Sequence, residues 1–574
     1  MKLRSIKGII STAMIMAVIG TSVTGCGIKA ELSAPAEAAC VDQTETSCAS
    51  DIYYGADVPD YEDESEAYCE DAYCEESPAA AYEGEECCVN YYRGDDADCK
   101  TESSYLDGLY DYNNSTGTER TPNTEEYSEL NEQGYRSTKA HPLSTFAADV
   151  DTASYSNLRR MLEEGFELDE LPEGSVRIEE MINYFNYDYK GPKGSEPFGV
   201  NTQMGICPWN KDALLLSIGL KTEDIDFEKT PDSNLVFLVD VSGSMAQPDK
   251  LPLLQKSFCM LVDNLSEKDR VSIVTYANGV NVVLEGAKGN ESRKIKRAIN
   301  DLFASGGTNG GKGIKTAYKI AEENYIKGGN NRIILATDGD LNLGLTSVDE
   351  LNELVSRKKE TGVFLSVLGF GQGNIKDNKM ETLADNGNGN YAYIDSLREA
   401  KKVLVDELSA NMLTVCKDVK LQVEFDPDVV KGYRLVGYAN RIMKDRDFND
   451  DTKDGGEIGA GHEITVLYEI IPTKEYENAA YEKSCDDIMT LCIRYKKPAA
   501  DKSALLEYPI SFRAFTKTPS DDFIFQSAVA EFGLLASDSL FSGDANLDDV
   551  IDNLESIRLD DEYKAEFYDL VKGL

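Results

Sequence analysis

Five residues of this sequence carry oxygen donors at spacings that suit a cation. They are Asp240, Ser242 and Ser244 in the run Asp240-Val-Ser242-Gly-Ser244, then Thr308, then Asp338 in Thr337-Asp338-Gly339. Together they offer three hydroxyls and two carboxylates, all hard ligands. A set without sulfur or imidazole selects Mg2+, Mn2+ or Ca2+. Each residue also has a plainer use, because Ser or Asp ahead of a helix often serves as an N-cap. Which use applies depends on the elements that carry them.

Residues 234–240 form a continuous apolar run closed by an acid, which reads as a buried parallel strand. Leu251, Leu254, Phe258, Leu261 and Leu265 follow at helical spacing. The pattern then predicts a strand over 270–277, a helix over 295–303, and a Gly-rich loop holding Thr308 that opens a helix over 313–326. A second buried strand starts at Arg332 and ends at Asp338. A helix over 348–359, a strand over 363–369 and a last helix over 396–412 continue the alternation. Such alternation predicts an α/β domain with a doubly wound parallel sheet. Ligands of these sheets sit at the carboxyl ends of the strands. Asp240, Ser242 and Ser244 fall at one strand end, Asp338 at another, and Thr308 in a neighbouring loop.

The order Asp-x-Ser-x-Ser, a distant Thr, then Thr-Asp-Gly resembles the metal-ion-dependent adhesion site of von Willebrand factor A domains, across roughly residues 234–412. The resemblance implies that Asp240, Ser242, Ser244, Thr308 and Asp338 form that site. It implies direct contact from the serines, with the aspartates acting largely through water or outer hydrogen bonds. The ion then keeps an open position for the Asp or Glu carboxylate of a protein partner. A conformational switch of the last central helix also belongs to the family's behaviour. Upstream, His141-Pro-Leu-Ser144 and the segments after it resemble the N-terminal region of a bacterial subgroup. Downstream, Gly432-Tyr-Arg-Leu-Val-Gly437 and Gly456-Glu-Ile-Gly-Ala-Gly461 resemble that subgroup's uncharacterised C-terminal region. No activity comes with those flanks.

Stretches of strand length lie on both sides of the central domain, at 200–206, 214–220, 419–425, 464–471, 488–496 and 505–512. They predict one β-sandwich with the central domain inserted in a loop. Catalytic alternatives find little support. Only two histidines exist, His141 and His462. His462-Glu463 lacks the second histidine of a zinc protease motif, since Val466 stands there. Gly310-Gly-Lys312-Gly313 lacks the Gly-Lys-Ser/Thr of a nucleotide-binding loop. Asp149 and Asp151 read as turn residues. Asp544-x-Asn546-x-Asp548 approaches a calcium loop, but Asp549 stands where glycine is needed, so a terminal helix is expected. The sequence therefore points to a binding module rather than an enzyme. A structural scaffold of an envelope assembly is the alternative, and a metal-dependent hydrolase a more distant one.

The N-terminus bears on the compartment. Lys2, Arg4 and Lys7 precede an apolar stretch over 9–23, and Val23-Thr24-Gly25-Cys26 resembles a bacterial lipobox. Residues 1–25 are thus expected to be a signal peptide, with lipidated Cys26 anchoring the chain on the extracytoplasmic face of the cell membrane. Residues 26–136 are rich in Asp, Glu and Tyr and are expected to be a disordered stalk. Seven of the 13 cysteines follow Cys26 in this stretch, and pairing among Cys416, Cys485 and Cys492 stays open. The remaining segments are an N-terminal flank over 137–230, the central domain over 231–412 and a C-terminal region over 413–574. A net charge of -45 argues against nucleic acid and anionic lipid surfaces as partners.

Overall fold

The computed structural model describes residues 124–148, 151–225, 231–307, 310–339, 348–476, 480, 486–498 and 500–574. The expected signal peptide, Cys26 and the stalk up to residue 123 lie outside them, as do Thr308, Asp149 and Cys485.

The N-terminal flank contributes β1 (Arg136–Ser137), β2 (Leu143–Ala147), α1 (Ala153–Glu163), α2 (Ile178–Asn183), β3 (Phe198–Ile206) and β4 (Leu214–Thr222). The central domain follows as β5 (Ser233–Asp240), α3 (Leu251–Asp263), β6 (Arg270–Tyr276), β7 (Val280–Lys288), α4 (Ser292–Asn300), α5 (Gly310–Glu323), β8 (Asn330–Thr337), α6 (Val348–Lys359), β9 (Phe364–Phe370), α7 (Asp377–Asn386) and β10 (Tyr391–Ile394). It closes with α8 (Leu397–Lys401), a π-helical turn at Lys402–Asp406, and α9 (Leu408–Met412). The C-terminal region adds β11 (Thr414–Phe425), β12 (Val430–Val436), β13 (Gly456–Gly459), β14 (Glu463–Pro472), β15 (Asp487–Lys496) and β16 (Ala504–Ser511). Three helices end the chain, Asp521–Ala536, Leu547–Glu555 and Glu562–Lys572.

The central sheet runs β10-β9-β8-β5-β6-β7. Its strands are parallel except β7, which pairs antiparallel with β6 at the edge. The purely parallel expectation is corrected at that edge. A tight turn at Ala277–Gly279 lets the chain fold straight back, and a hairpin of this kind needs no crossover helix. β5 is buried along its whole length, with Leu235, Phe237 and Val239 in one core and Val236 and Leu238 in the other. Helices therefore cover both faces, which is why this strand reads as an unbroken apolar run.

The flanks interleave. β14 of the C-terminal region pairs with β4 of the N-terminal flank in the sheet β1-β12-β14-β4-β3. β2 pairs with β11 in the second sheet, which continues β13-β11-β15-β16. Phe198, Leu216, Val423, Tyr433 and Ile493 share one core between the two sheets, the packing of a sandwich. The outer face of the first sheet is covered in turn by α1, α2 and the terminal helices, through Leu215, Val436, Leu467, Phe525 and Phe567. The central domain thus leaves and re-enters a single β-rich body.

Several local expectations need correction. The helix expected over 295–303 ends at Asn300, leaving Phe303 in the following loop, 73% exposed. The helix over 313–326 begins at Gly310 instead. The last central helix is interrupted by the π turn at Lys402–Asp406, where Lys402 reaches Glu407. Residues 124–136, expected as the end of a disordered stalk, lie against the folded body. Glu126 binds Lys376 at 2.8 Å, Glu132 binds Arg434 at 2.9 Å, and β1 pairs with β12. Acids that find cations fixed in the folded body are ordered by them, so acidic composition alone misplaces this boundary. Cys416 and Cys492 are free thiols and do not pair with each other.

Candidate functional site

The carboxyl ends of β5 and β8 are adjacent in the sheet, and Asp240 and Asp338 are both fully buried there. Asp240 closes β5, and its Oδ1 accepts a 2.8 Å bond from the Ser242 amide. This turns the backbone sharply, so that Ser242 and Ser244 bring their hydroxyls within 2.9 Å of each other. Ser242 stands at the start of the short helical turn Gly243–Ala246, yet its hydroxyl makes no cap bond. The plainer N-cap use is therefore not the one it serves. The Gly243 amide donates to the Gly306 carbonyl at 2.9 Å, and the Ser305 amide to the Val241 carbonyl at 2.8 Å. These bonds stitch the serine loop to the loop that carries Thr308. Thr308 itself lies outside the described residues.

Asp338 stands just after β8, and the reversal behind it needs Gly339 at φ +93°, where an added Cβ would meet the Lys376 amide at 2.6 Å. Its Oδ2 accepts a 3.0 Å bond from Lys250 Nζ, which also donates to Asn374 Oδ1 at 2.9 Å. Lys250 is buried and its stem lies against Gly371, where a Cβ would come within 2.3 Å of the lysine carbons. Thr337 Oγ1 lies 3.4 Å from Asp240 Oδ2. Sequence reasoning missed Lys250, Asn374 and Thr337. A lysine ahead of a helix reads as surface, and only the close approach at Gly371 gives it a buried path.

The two acids differ electrostatically. Burial, reinforced by nearby Asp338, pushes Asp240 up to about 6, despite the amide and hydroxyl of Ser242. Burial works against Asp338 too, but the Lys250 ammonium and donors from Asn374, Lys250 and Ser244 outweigh it and hold this carboxyl below its usual range. Among the described residues, no three His, Cys, Asp or Glu side chains cluster as a metal group. A cation held here would depend on the serine hydroxyls as much as on the two acids. The donors fit a hard divalent ion, since they are oxygens, converge at one strand edge and include hydroxyls not used as caps.

The other flagged residues fall elsewhere. His462 is half-buried in the flanking body, pushed down to about 4 by desolvation and by Lys402, and its Nδ1 accepts from the Gly459 amide at 3.3 Å. It is thus a neutral packing residue. His141 is exposed in the loop between β1 and β2. Asp151 accepts from the Tyr391 amide at 2.8 Å and from Arg441 at 3.0 Å, a structural role. Asn546 caps the helix Leu547–Glu555 through the Asp549 amide, so the near-calcium loop is a helix start.

The first described residues are fastened beside the site. Thr124 donates its amide to the Gly373 carbonyl at 2.9 Å, and the Glu126 amide donates to the Ile375 carbonyl at 2.9 Å. Glu126 and Lys376 form a parallel bridge. The loop they hold is the one that carries Asn374. Among the described residues, no helix is long and apolar enough to cross a membrane.

Known proteins resemble this chain in three stretches. The von Willebrand factor type A domain family matches residues 234–406, and the von Willebrand factor family matches residues 121–217. The C-terminal family of the uncharacterized protein YfbK matches residues 410–574. The uncharacterized protein YfbK of Escherichia coli K12 is 38% identical over 79% of this chain and 81% of its own length. The inter-alpha-trypsin inhibitor heavy chain H3 of Mesocricetus auratus is 27% identical over 44% of this chain and 30% of its own. A solved von Willebrand factor type A structure from Catenulispora acidiphila aligns with 65% of this chain and 88% of its own, at 16% identity and a TM-score of 0.38.

Proposed function

The chain belongs to the family of von Willebrand factor type A domain proteins that carry the YfbK C-terminal region, and from that premise we propose that it is a cation-dependent protein-binding module of the cell envelope. Domains of this family commonly mediate protein–protein interaction. In the proposed reading, Ser242, Ser244 and Thr308 hold Mg2+, Mn2+ or Ca2+, with Asp240 and Asp338 supporting it. The bound ion supplies a coordination position for an Asp or Glu carboxylate of the partner. Asp240 and the Ser242 amide fix the turn that presents the hydroxyls, and Lys250 holds Asp338 in place. Few anions in direct contact leave such an ion short of electrons, so one more carboxylate is attracted strongly. The observation that carries the reading is the uncapped hydroxyl pair of Ser242 and Ser244, 2.9 Å apart, between two buried carboxylates. Lipidation at Cys26, with the chain on the extracytoplasmic face of the membrane, belongs to the same proposal and rests on the lipobox-like sequence.

The test is capture of partners from an envelope extract on the immobilised full chain, in Mg2+ and in EDTA, with Asp240→Ala alongside. A protein retained only with Mg2+ and intact Asp240 is the expected result. A captured set indifferent to both would overturn the reading. Binding, rather than turnover, is also the better fit to the chemistry present. His462 is half-buried and neutral, His141 is exposed in the loop between β1 and β2, and neither is a hydrogen-bond partner of the two acids in the bonds described above.

A further inference from the structure

A groove of about 850 Å3 runs from the serine loop along α4. Val241, the residue between Asp240 and Ser242, forms its near end, and Asn278, Val283, Arg293, Arg297 and Phe303 are among its walls. The groove therefore begins at a neighbour of the serine loop, and Ser305, whose amide donates to the Val241 carbonyl, lines it too.

Its surface is unusual for a chain of net charge -45. Phe303 is 73% exposed and Val283 41%, and they are among the largest exposed apolar side chains of the described residues. Leaving an aromatic ring of this size in water forgoes apolar burial that a partner would recover. α4 reads Ser-Arg-Lys-Ile-Lys-Arg-Ala-Ile-Asn, with four cations and no acid. Arg297 and Lys294 meet only solvent-exposed acids, Asp301 at 3.6 Å and Glu291 at 3.3 Å. Pairs of that kind hold their partners weakly. Arg293 has no ion pair among the described residues. The groove thus joins exposed apolar side chains to the cations of α4, with Asp301 as an acid among its lining.

We propose that this groove receives the segment of the protein partner that flanks the coordinating carboxylate, and that this segment is extended, acidic and aromatic. The inference rests on the proposed reading of the metal site and names the chemistry of its partner. Acidic side chains pair with Arg293 and Arg297, and an aromatic one packs on Phe303 and Val283. The carboxylate at the segment's end then reaches the serine loop past Val241. Specificity beyond a bare carboxylate comes from this second contact.

The probe is a glutamate–tyrosine copolymer, compared with polyglutamate, binding to the full chain in Mg2+ and in EDTA. In Mg2+ the copolymer should bind at least tenfold more tightly than polyglutamate. The double variant Arg293→Glu, Phe303→Ser should lose that margin. Terbium luminescence at the metal site should be unchanged in it, because both side chains are exposed and neither lies among the proposed ligands. A wild-type chain with no preference for the copolymer overturns the proposal, as does a double variant that binds like wild type. If Asp240→Ala abolishes binding while the double variant does not, the groove fails and the metal reading stands. If the double variant loses binding that Asp240→Ala and EDTA leave intact, the metal reading fails and the groove remains. Self-association of the wild type that the double variant loses would replace the proposed partner with a second copy and overturn it.

Discussion

Two charged clusters lie along the carboxyl edge of the central sheet, and they differ in how completely they are closed. Beside β10, Arg159 of α1 binds Asp395 at 2.7 Å and Glu399 and Glu566 at 2.9 Å each, and the Tyr184 hydroxyl donates to Glu399 at 2.7 Å. Nearby, Arg177 binds Asp377 at 2.6 Å and Glu180. Helices of the flanking body cover these charges and supply their counterions. At the ends of β5 and β8, Asp240 and Asp338 are equally buried, but there the Lys250 ammonium reaches Asp338, while Asp240 accepts from the Ser242 amide and the Thr337 hydroxyl. Where charge is closed, removing one member leaves the others stranded. Where it is left open, the same kind of residue remains available for an ion from outside. The central domain is thus fixed to its flanks by one cluster and exposes its chemistry through the other.

The sharpest way to break the comparison is Arg159→Ala. Stranding Asp395 and Glu399 in the interior should cost about 3–5 kcal/mol of stability, read by chemical denaturation. A loss under 1 kcal/mol would mean that the cluster is solvated and no more closed than the other. The next largest effect is expected at the open cluster. Lys250→Met removes one positive charge from beside Asp338, so divalent affinity should rise about tenfold, near 1.4 kcal/mol, measured by calorimetry with Mg2+. An unchanged or weaker affinity would show that the ordering of Asp338 by Lys250 outweighs its competition with the ion. The smallest effect concerns acidity. Asp240, raised to about 6, must lose its proton before supporting a cation, so apparent affinity should fall about twofold from pH 7.5 to pH 6 and further below it. The sign for folding is opposite. A carboxyl with a raised folded value costs stability above that value, and this cost is relieved as pH falls through 6 towards the unfolded range. Metal-free chain should therefore gain from Asp240 where metal binding is lost, and Asp240→Asn should flatten both slopes.

How much of this was legible in the sequence varied with how local the signal was. β5 announced itself, because a strand buried on both faces must be apolar at every position, and its closing acid pointed to the site. The pattern also suggested that the flanks share a sandwich, which the β4–β14 and β2–β11 ladders display. β7 gave little signal, since an edge strand with Asn281, Val282 and Val283 exposed has no face that must be apolar. β10 is four residues long, too short for a period to register. The break at Lys402–Asp406 depends on Lys402 finding Glu407, and the role of Lys250 on the bare backbone of Gly371. Both are contacts between residues whose local sequence looks like ordinary helix and ordinary surface. The placement of the candidate donors Ser242, Ser244 and Asp338 was readable because it follows from strand ends, while their lysine neighbour was not.

The fastening of Thr124 and Glu126 to Gly373 and Ile375 has a mechanical meaning. Tension applied at Thr124 enters the described body through that parallel bridge. Strands joined in parallel and pulled lengthwise load their hydrogen bonds together, as in shear, instead of unzipping them one by one. The loop under that load carries Asn374, which shares Lys250 with Asp338. A pull at Thr124 is therefore delivered one side chain away from the candidate binding site, so that, with the proposed anchor, hold and grip would be parts of the same joint.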